Sequence, residues 1–156
     1  MKILILGCGS IGTRHSMNLK NLGISDFVLC DTDHRKVSQL GKKLRSTSLF
    51  LDYKNAIKKH NNIDAAIICT PTSQHVSQAI YLARKKINIF MEKPLSHNNN
   101  GIKKLEKLIM KNRIIFMMGN SFTFDRGYSK IKTLLDKRLL GKTYYVRSEE
   151  HTSELQ

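Results

Sequence analysis

The sequence has no tryptophan, only two prolines and three cysteines, and 12 acidic residues against 27 lysines and arginines. Met1-Lys2 leads into the four-residue apolar run Ile3–Leu6, too short for a signal peptide or a membrane span, and no membrane partner is expected. Cys8, Cys30 and Cys69 form an odd set without metal-ligand spacing, which excludes a metal centre from the expectations and fits a reducing, cytoplasmic setting. There is no internal repeat and no low-complexity linker. With 156 residues and an apolar fraction of 40%, the composition is that of a soluble globular protein able to bury one sizeable core.

The scarcity of acids leaves a formal charge of +15, which raises a nucleic-acid surface as a candidate. Placement argues against it. Lys42-Lys43, Lys58-Lys59 and Arg84-Lys85-Lys86 each fall near the end of a predicted helix, where cations complement the helix dipole, and none is interleaved with aromatics. These clusters read as solvated surface, and no nucleic-acid partner is expected.

Apolar runs alternate with helical patterns. Residues 2–6, 26–30, 47–51, 63–69, 87–91 and 114–118 read as strands, and most are continuously apolar, as parallel strands buried on both faces require. Helical stretches are expected near 11–22, 33–44, 53–60, 74–85 and 98–112. In the last, Ile102, Leu105, Leu108 and Ile109 form one stripe, and Asn98-Asn99-Asn100 supply the N-terminal signal. Regular β-α alternation predicts an α/β fold with a doubly wound parallel sheet.

The first strand runs into Gly7-Cys8-Gly9-Ser10-Ile11-Gly12, and Asp31 closes the second strand 19 residues after Gly12. A G-x-G-x-x-G between a buried strand and a helix, with an acid at that distance, is the dinucleotide fingerprint of the Rossmann fold. Gly7 permits the tight turn, Gly9 lets amides approach a pyrophosphate, and Gly12 lets helix and strand pack closely. The amides of Ser10 and Ile11 open the helix N-terminus toward the anion. Asp31 would accept hydrogen bonds from the adenosine ribose and repel a 2′-phosphate, favouring NAD with NADP possible. Two readings compete: Arg35 with His34 could attend a 2′-phosphate, and Asp31 or Asp33 could simply cap the next helix. Cys8 reads either as a small filler or as a thiol activated by the helix N-terminus.

The fourth strand ends in Thr70-Pro71-Thr72-Ser73-Gln74-His75 and the fifth in Glu92-Lys93-Pro94. Both lie at carboxyl ends of strands, where open α/β sheets bind ligands. Together the glycine loop, Asp31, T-P-x-x-x-H and E-K-P resemble the N-terminal half of the Gfo/Idh/MocA oxidoreductases, over residues 1 to about 146. The resemblance implies hydride transfer between a nicotinamide and a hydroxyl-bearing carbon of a sugar or cyclitol. It makes Lys93 the catalytic residue beside the reacting hydroxyl. Such an ammonium can stabilise a developing alkoxide, helped by partial desolvation; a solvated strand-end lysine is the bland alternative. Pro94 is expected to fix the turn and is a candidate to follow a cis bond. Thr70 and Pro71 resemble residues packing along the cofactor. Glu92 reads as orienting Lys93 or nearby backbone, or as surface, and His75 as a cap or anion contact rather than a base.

Residues 1–120 are thus expected to form the dinucleotide-binding domain, and 121–146 the start of a truncated second α/β domain. That domain would carry the family's catalytic His, most substrate contacts and a homo-oligomer interface. Gly119-Asn120-Ser121-Phe122-Thr123-Phe124 departs from the family's Gly-aromatic-Asn-x-Arg-Phe at the Asn and Arg positions, which touches substrate recognition. A helix over 128–139 with a buried face of Ile131, Leu134, Leu135 and Leu139 should precede a strand at Thr143–Val146. The small-molecule substrate is expected to be sugar- or cyclitol-like. Alternatives are a related reductase acting on bile pigments or trans-dihydrodiols, and a non-catalytic redox sensor, for which Lys93 would have no use. Finally, residues 147–156, RSEEHTSELQ, break the Lys/Ile/Asn style of the body and resemble the in-frame translation of a sequencing-library adapter. The native frame is expected to continue past Val146, and the fragment alone to be inactive.

Overall fold

In the computed structural model, which describes residues 1–147, the six apolar runs become six strands. These are β1 (Lys2–Leu6), β2 (Asp26–Cys30), β3 (Leu49–Phe50), β4 (Ala65–Ile68), β5 (Asn88–Met91) and β6 (Phe116–Met118). Between them lie α1 (Ser10–Asn21), α2 (His34–Leu44), α3 (Tyr53–Lys59), α4 (Thr72–Arg84) and α5 (Ile102–Asn112). All pairings are parallel, in the order β3-β2-β1-β4-β5-β6. The chain winds outward from β1 in one direction and then restarts on its other side at β4. The strand order therefore reverses between β1 and β4, and a crevice opens there at the carboxyl edge.

Burial on both faces explains the continuous apolar runs. Ile3, Leu4, Ile5 and Leu6 are all buried, alternating between two cores. Leu4, Leu6, Val28 and Ile68 face a cluster completed by Ala56 and Ile57 of α3, Ala79, Leu82 and Ala83 of α4, and Leu105 of α5. Ile3, Ile5, Phe27 and Leu29 face the other, with Val37, Leu40 and Leu44 of α2 and half-buried Met17 and Leu19 of α1. Each such side chain taken out of water contributes roughly 1.5–3 kcal/mol, so the two layers outweigh any single local preference. The expected basic clusters do lie at helix ends: Lys42 and Lys43 in the last turn of α2, Lys58 and Lys59 in that of α3, and Arg84 in that of α4.

Several expectations need correction. The run 47–51 yields only two strand residues, because β3 is a sheet edge with Leu49 and Leu51 largely exposed. The Asn98-Asn99-Asn100 signal does not cap α5. Gly101 occupies the N-cap position, while the Asn98 side chain accepts from the Asn100 N–H and turns the chain ahead of the helix. By contrast, the Lys93–Pro94 peptide bond is cis, as the sequence led one to expect of Pro94.

Met1–Gly119 forms one compact unit and the chain from Asn120 a second. In the second unit a short 3-10 helix (Ser121–Phe124) precedes α6 (Arg126–Asp136), whose first amides are capped by the Asp125 carboxylate. The apolar face expected to be buried is not: Ile131, Leu135 and Leu139 are exposed and Leu134 is half-buried. Residues 143–146 form no strand, contrary to expectation, and Tyr144, Tyr145 and Val146 are exposed. The adapter resemblance at 147–156 lies, from Ser148 onward, outside the described residues.

Candidate functional site

The loop after β1 has the geometry its glycines allow. Gly7 has φ +90°, and a Cβ there would come within 2.6 Å of the Cys69 carbonyl oxygen. A Cβ on Gly12 would overlap the Gly7 carbonyl oxygen, so α1 can start against the loop only with hydrogen at that position. A Cβ on Gly9 would meet nothing within 4 Å, which leaves open space above the amides that follow. Gly9 is the N-cap of α1 and offers no side-chain cap, and the first-turn acceptor bond goes from the Thr13 N–H to the Gly9 carbonyl. The N–H groups of Ser10, Ile11 and Gly12 are thus left for an anion, at the positive end of a 12-residue helix.

Asp31 and Asp33 divide the work left open by the sequence. Asp33 caps α2 by accepting from the Arg35 N–H at 2.8 Å. Asp31 does not cap. One of its oxygens accepts from the Cys8 N–H at 2.7 Å and the other from the Asp33 N–H at 2.9 Å. The carboxylate is held at the loop by two main-chain donors and keeps lone pairs for further hydroxyl groups. Arg35 is exposed and does not line the cleft; Lys36 does, and its ammonium lies 3.9 Å from Asp33. Lys36 is therefore a second cation, beside Arg35, to weigh against Asp31.

A cleft of about 530 Å³ is lined by Gly7, Gly9, Asp31, Thr70 and Pro71 from the expected set. Asp52, Tyr53, Gln74 and Gln78, which sequence reasoning missed, line it too. The Thr70 hydroxyl donates to the Gln78 amide oxygen at 2.7 Å, and the Gln78 amide donates to Gln74 at 2.9 Å. Gln74 and Gln78 are four apart on α4, the spacing that places both on one helix face, and that was the available signal.

The His75 side chain caps no helix end and does not line the cleft. It is 1% exposed, with Nε2 2.8 Å from the Thr70 carbonyl oxygen and Nδ1 2.9 Å from the Pro94 carbonyl oxygen. Both ring nitrogens face main-chain carbonyls, and an imidazole with one N–H donates to one of the two at a time, so the ring sits as a bridge between the end of β4 and the E-K-P turn. Glu92 is half-buried. One of its oxygens lies 2.6 Å from His15 Nε2, and the other accepts from the Lys93 N–H at 3.3 Å. Lys93 and Pro94 are exposed, and Lys93 has no ion pair among the described residues. The partial desolvation expected of Lys93 is not supplied by this chain alone.

The thiols are quiet. Burial, reinforced by the Asp31 carboxylate, pushes the Cys8 thiol up to about 12, which outweighs the activating helix N-terminus. Burial likewise holds Cys30 and Cys69 at about 12, with Asp52 and Glu92 respectively adding to it. A pKa near 12 leaves roughly one thiolate in 10⁴ at pH 8, so alkylation by iodoacetamide should run at least about 100-fold slower than for free cysteine. The rate should rise steadily up to pH 10. Rapid labelling of Cys8 at pH 7, read by mass spectrometry, would contradict the filler role.

Among the described residues no helix is long and apolar enough to cross a membrane. Residues 1–120 match the model of an oxidoreductase family with an NAD-binding Rossmann fold. The chain is 29% identical to myo-inositol 2-dehydrogenase of Thermotoga maritima, over 94% of its own length and 44% of that protein. It is 28% identical to scyllo-inositol 2-dehydrogenase (NAD(+)) of Bacillus subtilis, over 94% of this chain and 43% of the relative. Scyllo-inositol dehydrogenase from Lactobacillus casei, solved with bound NAD(H) and scyllo-inositol, superposes with a TM-score of 0.81 at 25% identity, covering 91% of this chain and 43% of that one. The chain thus spans less than half the length of these relatives. The strand order, the glycine loop with its free amides, and the match over residues 1–120 together place the chain in the Gfo/Idh/MocA oxidoreductase family.

Proposed function

We propose that this chain is the dinucleotide-binding part of an NAD-dependent oxidoreductase that moves a hydride between the nicotinamide and a hydroxyl-bearing carbon of a cyclitol- or sugar-like substrate. The observation that carries the reading is the open N-terminus of α1 above Gly9, with Asp31 held beside it by the Cys8 amide. The amides of Ser10, Ile11 and Gly12 bind the pyrophosphate. The adenosine half lies toward β2, where Asp31 accepts from the ribose hydroxyls, and Thr70 and Pro71 border the crevice at the β1/β4 switch. The nicotinamide half lies toward β4 and β5, and when bound the cofactor supplies the hydride acceptor or donor there. Lys93 projects from that edge and would hold or donate a proton at the substrate oxygen.

Relatives named for inositol oxidation favour a cyclitol over a bile pigment or dihydrodiol. The exposed Lys93 amine at the carboxyl edge has a use in catalysis and none in a redox sensor. The N-terminal body of the family domain is taken as residues 1–120, with 121–146 beginning a substrate domain.

Cofactor choice tests the site. A 2′-phosphate would meet the Asp31 carboxylate, whose orientation is held by two amides, while Lys36 is solvated and weaker. Fluorescence titration should therefore show NADH binding about tenfold more tightly than NADPH, a difference of about 1.4 kcal/mol. Equal or reversed affinities would remove Asp31 from the ribose site and bring Lys36 forward.

A further inference from the structure

We propose that His15 is a positioning residue for the nicotinamide side of the site, acting through Glu92 on the backbone that carries Lys93. The inference rests on the dinucleotide reading above and extends it to a residue outside every expected motif. His15 sits in the second turn of α1, the helix whose first amides face the pyrophosphate position. Its Nε2 is 2.6 Å from Glu92 Oε1, and its ring meets Phe90 of β5 edge-on at 5.1 Å between centroids. The Glu92 carboxylate then reaches the Lys93 N–H through its second oxygen. One carboxylate thus links the pyrophosphate helix to the turn that bears Lys93.

Two further observations set this contact apart from surface pairing. The side chains of His15 and Glu92 are 23% and 18% exposed, whereas every lysine–carboxylate ion pair among the described residues has at least one partner above 40%. A sheltered hydrogen bond to a carboxylate belongs to the strong class, and exposed pairs do not. Room for it is also reserved: a Cβ on Gly119, just past β6, would come within 3.2 Å of the Glu92 carboxyl carbon and Oε1. The turn is therefore pinned twice. His75 holds the Pro94 carbonyl from the β4 side, and His15 holds Glu92 from the α1 side. Adenosine contacts lie across the switch point at Asp31 and should not feel the second pin.

That separation gives the test. ADP-ribose keeps the adenosine, pyrophosphate and second ribose and lacks only the nicotinamide, so its affinity reports the rest of the site and the fold. Calorimetric or fluorescence titration of the chain with NADH and with ADP-ribose should give, for His15→Ala, NADH affinity about 5- to 10-fold weaker with ADP-ribose affinity within about twofold. Glu92→Gln should behave likewise. His15→Gln retains an amide donor for Glu92 and should recover NADH affinity to within about threefold of the unmodified chain. The proposal is overturned if both ligands weaken in parallel, if neither weakens, or if His15→Gln is no better than His15→Ala. An unmodified chain that binds neither ligand would overturn the dinucleotide reading as well, so the two failures are distinguishable.

Discussion

Lys93→Met, in a full-length enzyme built on this domain, should cut turnover about 100-fold or more while NADH affinity stays within about threefold. Methionine keeps the length and apolar stem of the side chain and removes only the ammonium. No buried partner is orphaned, because Lys93 is exposed and unpaired among the described residues. The backbone around it is also fixed without the side chain, by the bond from the Lys93 N–H to Glu92 and by the His75 contact with Pro94. A loss in kcat with little change in cofactor binding would locate the lysine's contribution in the transition state. Steady-state kinetics with inositol isomers alongside an NADH titration make the measurement. Near-normal turnover would leave Lys93 as a solvated strand-end residue.

The second large effect is expected at Gly12. Its missing Cβ would overlap the Gly7 carbonyl oxygen; the backbone fixes where a Cβ lies and the oxygen is main chain, so no rotamer change can relieve the clash. Gly12→Ala must push the start of α1 away from the loop after β1. The displaced helix no longer presents the amides of Ser10, Ile11 and Gly12 together. NADH affinity should fall by about 100-fold or more, and overpacking of about 1–3 kcal/mol should lower Tm by several degrees. Titration with a parallel thermal melt separates the two effects. A variant with unchanged Tm and unchanged affinity would mean that α1 does not hold the pyrophosphate.

Much of the sheet was legible because its signal is redundant. β1 is apolar at four successive positions and buried at all four, a pattern that a strand covered on both faces produces and a solvated strand does not. The glycine loop was legible because backbone conformation and close approach restrict Gly7 and Gly12 to one residue type. What stayed hidden depends on distance in space. Nothing local distinguishes Asp31 from Asp33 as the cap of α2, since both precede the helix and both are acids. The bond from Cys8, 23 residues earlier, makes the difference. His15 gives no local signal because its partner, Glu92, is 77 residues away. The place of His75 near the start of α4, where free amides attract anions, suggests a cap or an anion contact, whereas its buried ring faces two main-chain carbonyls. The stripe on α6 is periodic yet exposed, because periodicity marks an apolar face and says nothing of what covers it.

The central claim is that α1 holds the pyrophosphate, with the adenosine toward Asp31 and the nicotinamide toward Lys93. A crystal structure of the chain with NADH tests it most directly. The account predicts pyrophosphate oxygens within hydrogen-bond distance of the Ser10, Ile11 and Gly12 amides, an adenosine ribose on Asp31, and the nicotinamide ring at the carboxyl edge of β4 and β5 beside Lys93. Density for NADH anywhere else on the sheet, or an adenosine lying on the β5 side with nicotinamide toward Asp31, would contradict it.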